Sequence, residues 1–174
     1  MRAAIPERPA ALPDLRGMPV SEKMTIILFS GELDKALAAF TLATTAAASG
    51  MEVTIFFTFW GLNLLKKSNL SLSKTQLLMQ KMLNLMNRGF PLSRLNMLGL
   101  GPWMMKKLMR KTGMASLEDM MKTARALKVR YIACTTSCGV MGLGREQLVD
   151  TVDDFTGAAT YLSIARDSKI NLFI

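Results

Sequence analysis

The sequence predicts an α/β fold, an open and mainly parallel five-stranded sheet with helices on both faces. Three observations lead there. Short apolar runs rich in β-branched residues recur along the chain, with helical patterns between them. The first two, Met24–Phe29 and Val53–Phe59, carry no charge, as strands covered on both faces do. Strand, helix and strand then fit within about 35 residues, the size of a right-handed crossover unit.

Each element follows from local chemistry. Met24–Phe29 stops at Ser30-Gly31, a strand ending in a tight loop. Glu32 to Ser49 places Leu33, Leu37, Phe40 and Ala43-Thr44 at helical spacing, and Gly50 takes the usual position after a helix. Glu32 and Asp34 fall in its first turn, where the helix dipole favours negative charge. An acid–base pair is the other reading of these two carboxylates. Val53–Phe59 is the second strand. Lys74 to Lys111 departs from the pattern. Leu78, Met79, Met82, Leu83 and Met86 mark an amphipathic helix, Gly89-Phe90-Pro91 breaks it, and Pro102–Lys111 forms a second short helix closed by Gly113. This reads as a helical insertion spanning about residues 66–113. Ser116–Leu127 is a helix with Ser116 as N-cap and Asp119 three residues on. Val129–Cys134 is strand three, Leu148–Val152 strand four, Phe155–Ser168 a helix and Ile170–Ile174 the closing strand. Helices and strands alternating in this order give an open parallel sheet. Residues 1–22, with three arginines and four prolines among the first twenty, read as a flexible tail, and 23–174 as a single domain.

Composition excludes much. The chain has no histidine, which removes Ser-His-Asp and Cys-His catalysis and histidine-based metal or haem ligation. Two cysteines alone cannot close a structural zinc site, so neither metal nor cofactor is expected. No apolar stretch reaches the roughly 18 residues of a membrane span. No secretory signal opens the chain, and the expected compartment is a reducing cytoplasm. The net charge of +9 is concentrated: residues 53–111 hold ten basic and no acidic side chains. Such asymmetry suits an acidic partner, an anionic ligand or a membrane surface. Nucleic acid is not expected, because aromatics are not interleaved with the basic residues. Ten of the fifteen methionines lie between Met79 and Met121, as packing for the insertion or as an adaptable binding surface.

Chemistry in such sheets gathers at the C-terminal ends of strands. Three ends share that rim: Ser30-Gly31, Trp60-Gly61, and Cys134-Thr135-Thr136-Ser137-Cys138-Gly139. Cys134 is the sharpest candidate, since a thiolate is stabilised by backbone N–H groups at a helix start. Cys138 lies four residues on, a second thiol within reach if the turn is helical. A small core residue is the equal alternative for Cys134 and the favoured reading of Cys138. Gly139 to Gly144 lacks the spacing and lysine of a phosphate loop and reads as a turn.

The runs Phe29-Ser30-Gly31-Glu32-Leu33-Asp34-Lys35-Ala36, Phe56-Phe57-Thr58-Phe59-Trp60-Gly61-Leu62 and Ala133-Cys134-Thr135-Thr136-Ser137-Cys138-Gly139-Val140-Met141-Gly142 together resemble the DsrE/DsrF-like family. They are similar above all to its larger, sulfurtransferase-related branch with a helical insertion. The resemblance implies a flavodoxin-like sheet, homo-oligomers and a role in sulfur relay. Cys134 matches the position of the family's cysteine, which accepts sulfane sulfur as a persulfide. Cys138 replaces a methionine that often follows the family's serine, here Ser137. The resemblance also implies an acidic TusA-like carrier or a rhodanese-like donor as partner, and peripheral membrane contact in some members.

The resulting expectation is a sulfur carrier or sulfurtransferase in which Cys134 holds and passes sulfur and Cys138 is a second thiol. Ser30, Gly31, Trp60, Gly61, Thr135, Ser137 and Gly139 would form the pocket. Lys66, Lys67, Lys106, Lys107, Arg110 and Lys111 would dock the partner. The rivals are a binding module without chemistry and a Cys134/Cys138 dithiol redox protein.

Overall fold

Lys23–Leu28 forms β1 and Glu52–Phe57 forms β2, two strands whose residues are almost all buried. The computed structural model describes residues 22–67 and 100–174. Between the two strands, α1 (Leu33–Ala48) buries Leu33, Ala36, Leu37, Ala39, Phe40 and Ala43. The alanines let the helix lie close to the sheet, while Phe40 meets the rings of Phe57 and Tyr131 at 6.4 and 6.0 Å. Gly50 follows with φ of +90°, as expected of a residue ending a helix.

Next come α2 (Leu100–Thr112), α3 (Leu117–Ala126), β3 (Arg130–Cys134), α4 (Thr135–Met141), β4 (Asp154–Thr156), α5 (Ala158–Arg166) and β5 (Ile170–Phe173). The sheet order is β4-β3-β2-β1-β5, and every pair is parallel. Side chains alternate between the faces. Met24, Ile26, Leu28, Val53, Ile55, Phe57, Tyr131 and Ala133 enter the large core, which α1 and α3 cover. Phe56, Ile132 and Cys134 face the other way and meet Tyr161 of α5. Tyr161 seats that helix by packing its ring tilted against Phe56 at 4.8 Å and sharing a hydrogen bond with the Thr25 hydroxyl at 3.2 Å. At the start of α3, Ser116 accepts the Asp119 N–H at 3.2 Å, as the expected cap requires.

The structure differs from the sequence expectations at three places. Strand four lies at Asp154–Thr156, not Leu148–Val152. Leu148 and Val152 are buried, but as loop residues. Leu148 makes a lone antiparallel bridge to Lys66, and the Val149 N–H donates to the Leu65 carbonyl at 2.7 Å. The helix expected from Phe155 accordingly begins at Ala158, after Gly157. Strand two ends at Phe57 rather than Phe59, and a 3₁₀ segment, Phe59–Leu65, follows. Phe59 opens it with φ of 44°, a left-handed conformation that is rare for a bulky side chain. The amphipathic helix expected around Leu78–Met86, the Gly89-Phe90-Pro91 break and most of the tail lie outside the described residues. The second insertion helix is present as α2, closed by Gly113 with φ of +70°.

Candidate functional site

Cys134 is the last residue of β3 and the residue from which α4 starts. Two strand ends flank it. On the β2 side the ladder pairs Phe57 with Ala133, so the next residues, Thr58 and Cys134, emerge together. On the β4 side Cys134 is in register with Thr156.

Burial alone pushes the Cys134 thiol up, since the residue is 6% exposed. Four dipoles outweigh it: the Ser137 N–H, the Ser137 hydroxyl, the Thr58 hydroxyl and the Thr136 N–H, all facing the sulfur. The net effect holds the thiol below its ordinary value. These groups surround the sulfur without closing a capping hydrogen bond of full geometry. They are themselves ordered, for the Thr58 and Ser137 hydroxyls share a buried hydrogen bond of 2.8 Å. Such an arrangement favours a thiolate, the form that attacks sulfur.

Cys138 has the opposite environment. It points into the large core on the other face of the sheet and is 5% exposed. Burial, with the charge of Cys134 adding to it, pushes its thiol up to about 11. The two cysteines are thus a poised thiol and a protonated core thiol.

The remaining expected site residues fall into groups. Ser137 is at the thiol. Thr135 and Gly139 lie on the same short helix with exposed side chains or surface, at the rim. Ser30, Gly31, Trp60 and Gly61 form a second cluster, where the ends of β1 and β2 pack on each other. Ser30 accepts the Glu32 N–H at 3.2 Å and donates to its carboxylate at 3.1 Å, organising the start of α1. A Cβ on Gly31 would stand 2.6 Å from the Trp60 carbonyl oxygen, and one on Gly61 would collide with the Leu28 carbonyl. These glycines allow close backbone approach. Glu32 pairs with Lys35 as well as Ser30, which fits the helix-start reading of this carboxylate.

The basic residues also divide. Lys66 is half-buried, and burial lowers its ammonium to about 8. Lys67 pairs with Asp150 at 2.9 Å. Lys106, Lys107, Arg110 and Lys111 are exposed on α2, with Lys107 lying over the Trp103 ring at 5.0 Å. Trp103, Met104 and Leu108 are exposed among them. Among the described residues no cluster of three side chains could hold a metal, and no helix is long and apolar enough to cross a membrane.

Thr58 is the residue beside Cys134 that sequence reasoning missed. The signal available was a hydroxyl at the end of a wholly apolar strand, next in line to the cysteine strand.

Comparison with known proteins places the chain in a family and a fold. A family model described as the DsrE/DsrF/DrsH-like family matches residues 20–173. The chain is 40% identical to the uncharacterized protein YrkE of Bacillus subtilis over 88% of its own length and 98% of the relative's. It is 37% identical to the sulfur carrier protein DsrE2 of Allochromatium vinosum, with the same shares covered. Among solved structures, the ychN protein of E. coli matches with a TM-score of 0.50 at 9% identity, over 87% of this chain and 99% of that one. The protein MTH1491 of Methanobacterium thermoautotrophicum matches with a TM-score of 0.50 at 10% identity, over 88% and 99%. At such identities the likeness is one of fold, a flavodoxin-like α/β sheet.

Proposed function

This chain belongs to the DsrE/DsrF/DrsH-like family, and from that premise we propose that it has a role in sulfur relay, as the name of its Allochromatium vinosum relative suggests, and carries sulfane sulfur as a persulfide on Cys134. The observation that carries the proposal is the set of N–H and hydroxyl dipoles around a single strand-end sulfur. They lower the cost of the Cys134 thiolate that must attack.

The exchange balances without an oxidant. The Cys134 thiolate attacks the outer sulfur of a donor persulfide. One S–S bond forms at Cys134 as the donor's S–S bond breaks, and the donor leaves as a thiolate. The outer sulfur travels with its proton, which water then takes up. Passing the sulfur to an acceptor thiolate is the same step with the roles exchanged. Cys134 is 6% exposed, which suits attack on a small terminal sulfur arriving at the rim where Thr135 and Thr136 are exposed.

The exposed Lys106, Lys107, Arg110 and Lys111, with Trp103 beneath Lys107, are the docking surface for an acidic sulfur-carrier or donor protein of the TusA-like or rhodanese-like kind. Exposed Phe29, Phe59 and Phe173, with the Phe29 ring 5.3 Å from that of Phe59 and 5.8 Å from that of Phe173, suit contact between copies in a homo-oligomer.

Intact-mass spectrometry after treatment with a low-molecular-weight persulfide tests the reading. The protein is expected to gain about 32 Da per sulfur atom, and Cys134→Ser to gain none. Equal loading of that variant would refute it.

A further inference from the structure

Thr156 carries an unexplained feature. Its hydroxyl oxygen is buried and finds no hydrogen-bond partner among the described residues. An unpaired buried hydroxyl destabilises a fold, so it calls for a reason. Thr156 is the residue in register with Cys134 across the β3–β4 ladder. Residues in register on parallel strands project to the same face, with the strands about 4.8 Å apart. The turn after it is held close as well: a Cβ on Gly157 would lie 3.9 Å from the Thr135 hydroxyl.

The donors that face the Cys134 sulfur come from Thr58, Thr136 and Ser137, on the β2 side and from the helix above. The β4 side contributes none of them, although a hydroxyl stands there. Loading changes what the site must hold. A persulfide adds one S–S bond, about 2.05 Å long, and moves the negative charge from the inner sulfur to the outer one. Donors grouped around the inner sulfur then no longer face the charge.

We propose that the Thr156 hydroxyl donates a hydrogen bond to the outer sulfur of the loaded Cys134, so that the site is completed by its cargo. This rests on the persulfide reading above. On that basis Thr156 is a binding residue for sulfane sulfur, unsatisfied in the free thiol and satisfied in the persulfide.

The test compares Thr156→Val, which keeps the shape and removes the hydroxyl, with Thr156→Ser, which keeps the hydroxyl. Each protein is equilibrated with glutathione persulfide and glutathione at fixed ratios, and the loaded fraction is read by intact mass. Thr156→Val is expected to lower the loading constant on the order of tenfold, the worth of one hydrogen bond to a charged group, while Thr156→Ser stays within about a factor of two of the parent. The pH dependence of Cys134 alkylation is expected to be the same in all three, because Thr156 does not act on the inner sulfur. Thermal unfolding of the unloaded proteins is the control that keeps folding separate. Removing an orphan hydroxyl is expected to raise the Thr156→Val midpoint by roughly 2–4 °C. A loading constant unchanged by Thr156→Val would overturn the proposal. So would a shifted alkylation profile or a lowered melting midpoint, since either means that the hydroxyl is already in use. A parent protein that takes up no sulfur would refute the persulfide reading itself, a result distinct from these.

Discussion

Replacing Thr58 by valine removes one donor from the Cys134 sulfur and keeps the volume of the side chain. Two consequences follow from the geometry. First, the thiolate loses a hydrogen bond to a charged acceptor, worth about 1.5–3 kcal/mol. The Cys134 pKa therefore rises, and at any pH below it the thiolate population falls by roughly tenfold or more. Second, the Ser137 hydroxyl, 1% exposed, loses its 2.8 Å partner. It can turn fully to the sulfur, which recovers part of the first loss and limits the cost in stability to about 1 kcal/mol. The assay is the rate of alkylation by iodoacetamide against pH, with Cys138→Ala as background so that one thiol reports. The Thr58→Val profile should move to higher pH, and the rate at pH 7 should fall by roughly an order of magnitude. The double change Thr58→Val with Ser137→Ala should cost more than the sum of the single changes, because each hydroxyl substitutes for the other. A folded Thr58→Val protein whose alkylation profile matches the parent would show that these dipoles do not set the reactivity of the thiol, and the reasoning would fail.

Three further expectations rest on packing and burial elsewhere in the fold. Gly61→Ala places a methyl group against the Leu28 carbonyl, where β1 and the 3₁₀ segment meet, and should destabilise the protein by about 1–3 kcal/mol in urea unfolding. Cys138 has a folded pKa of about 11, above its ordinary value near 9; its contribution to stability is complete below that ordinary value and is lost as pH rises through about 11. Burial raises Tyr131 in the same sense, so alkaline unfolding should begin above about pH 9 and be blunted, not abolished, in Cys138→Ala, as circular dichroism against pH would record. Lys66 has a folded pKa lowered to about 8, so the neutral amine suits the fold and stability is lost as pH falls through that value. Lys66→Met should therefore raise the melting midpoint at pH 7, with the advantage shrinking towards pH 10.5, where the unfolded lysine is also losing its proton.

What could be read from the chain alone depended on whether the information was local. β1 and β2 announce themselves as continuous apolar runs, and α1 by its alanine-rich face and closing glycine. Strand four was not legible, because Leu148–Val152 is as apolar as a strand while serving as loop cover, and the true strand begins with a charged residue. Asp154 is tolerated at the sheet edge because Arg130 of β3 pairs with it. Phe59 looked like more strand, since no local pattern reveals a left-handed backbone at a phenylalanine. At the site, Cys134 and Ser137 were legible from one short motif, because a strand end followed by small residues is where a thiol meets backbone N–H groups. Thr58 and Thr156 were not, because their positions beside Cys134 come from pairing between strands. The same holds for the two thiols. Their spacing of four suggested neighbours, yet the pleat and the turn send them to opposite faces of the sheet.

The most direct measurement is to locate the carried sulfur. No lysine or arginine lies between Tyr131 and Arg145, so trypsin leaves both cysteines on one peptide. Fragmentation of that peptide, after persulfide loading and alkylation, assigns the added atom to one residue. The account expects it on Cys134, with Cys138 carrying the alkyl group alone or unmodified. Sulfur on Cys138, or divided evenly between the two, would contradict it.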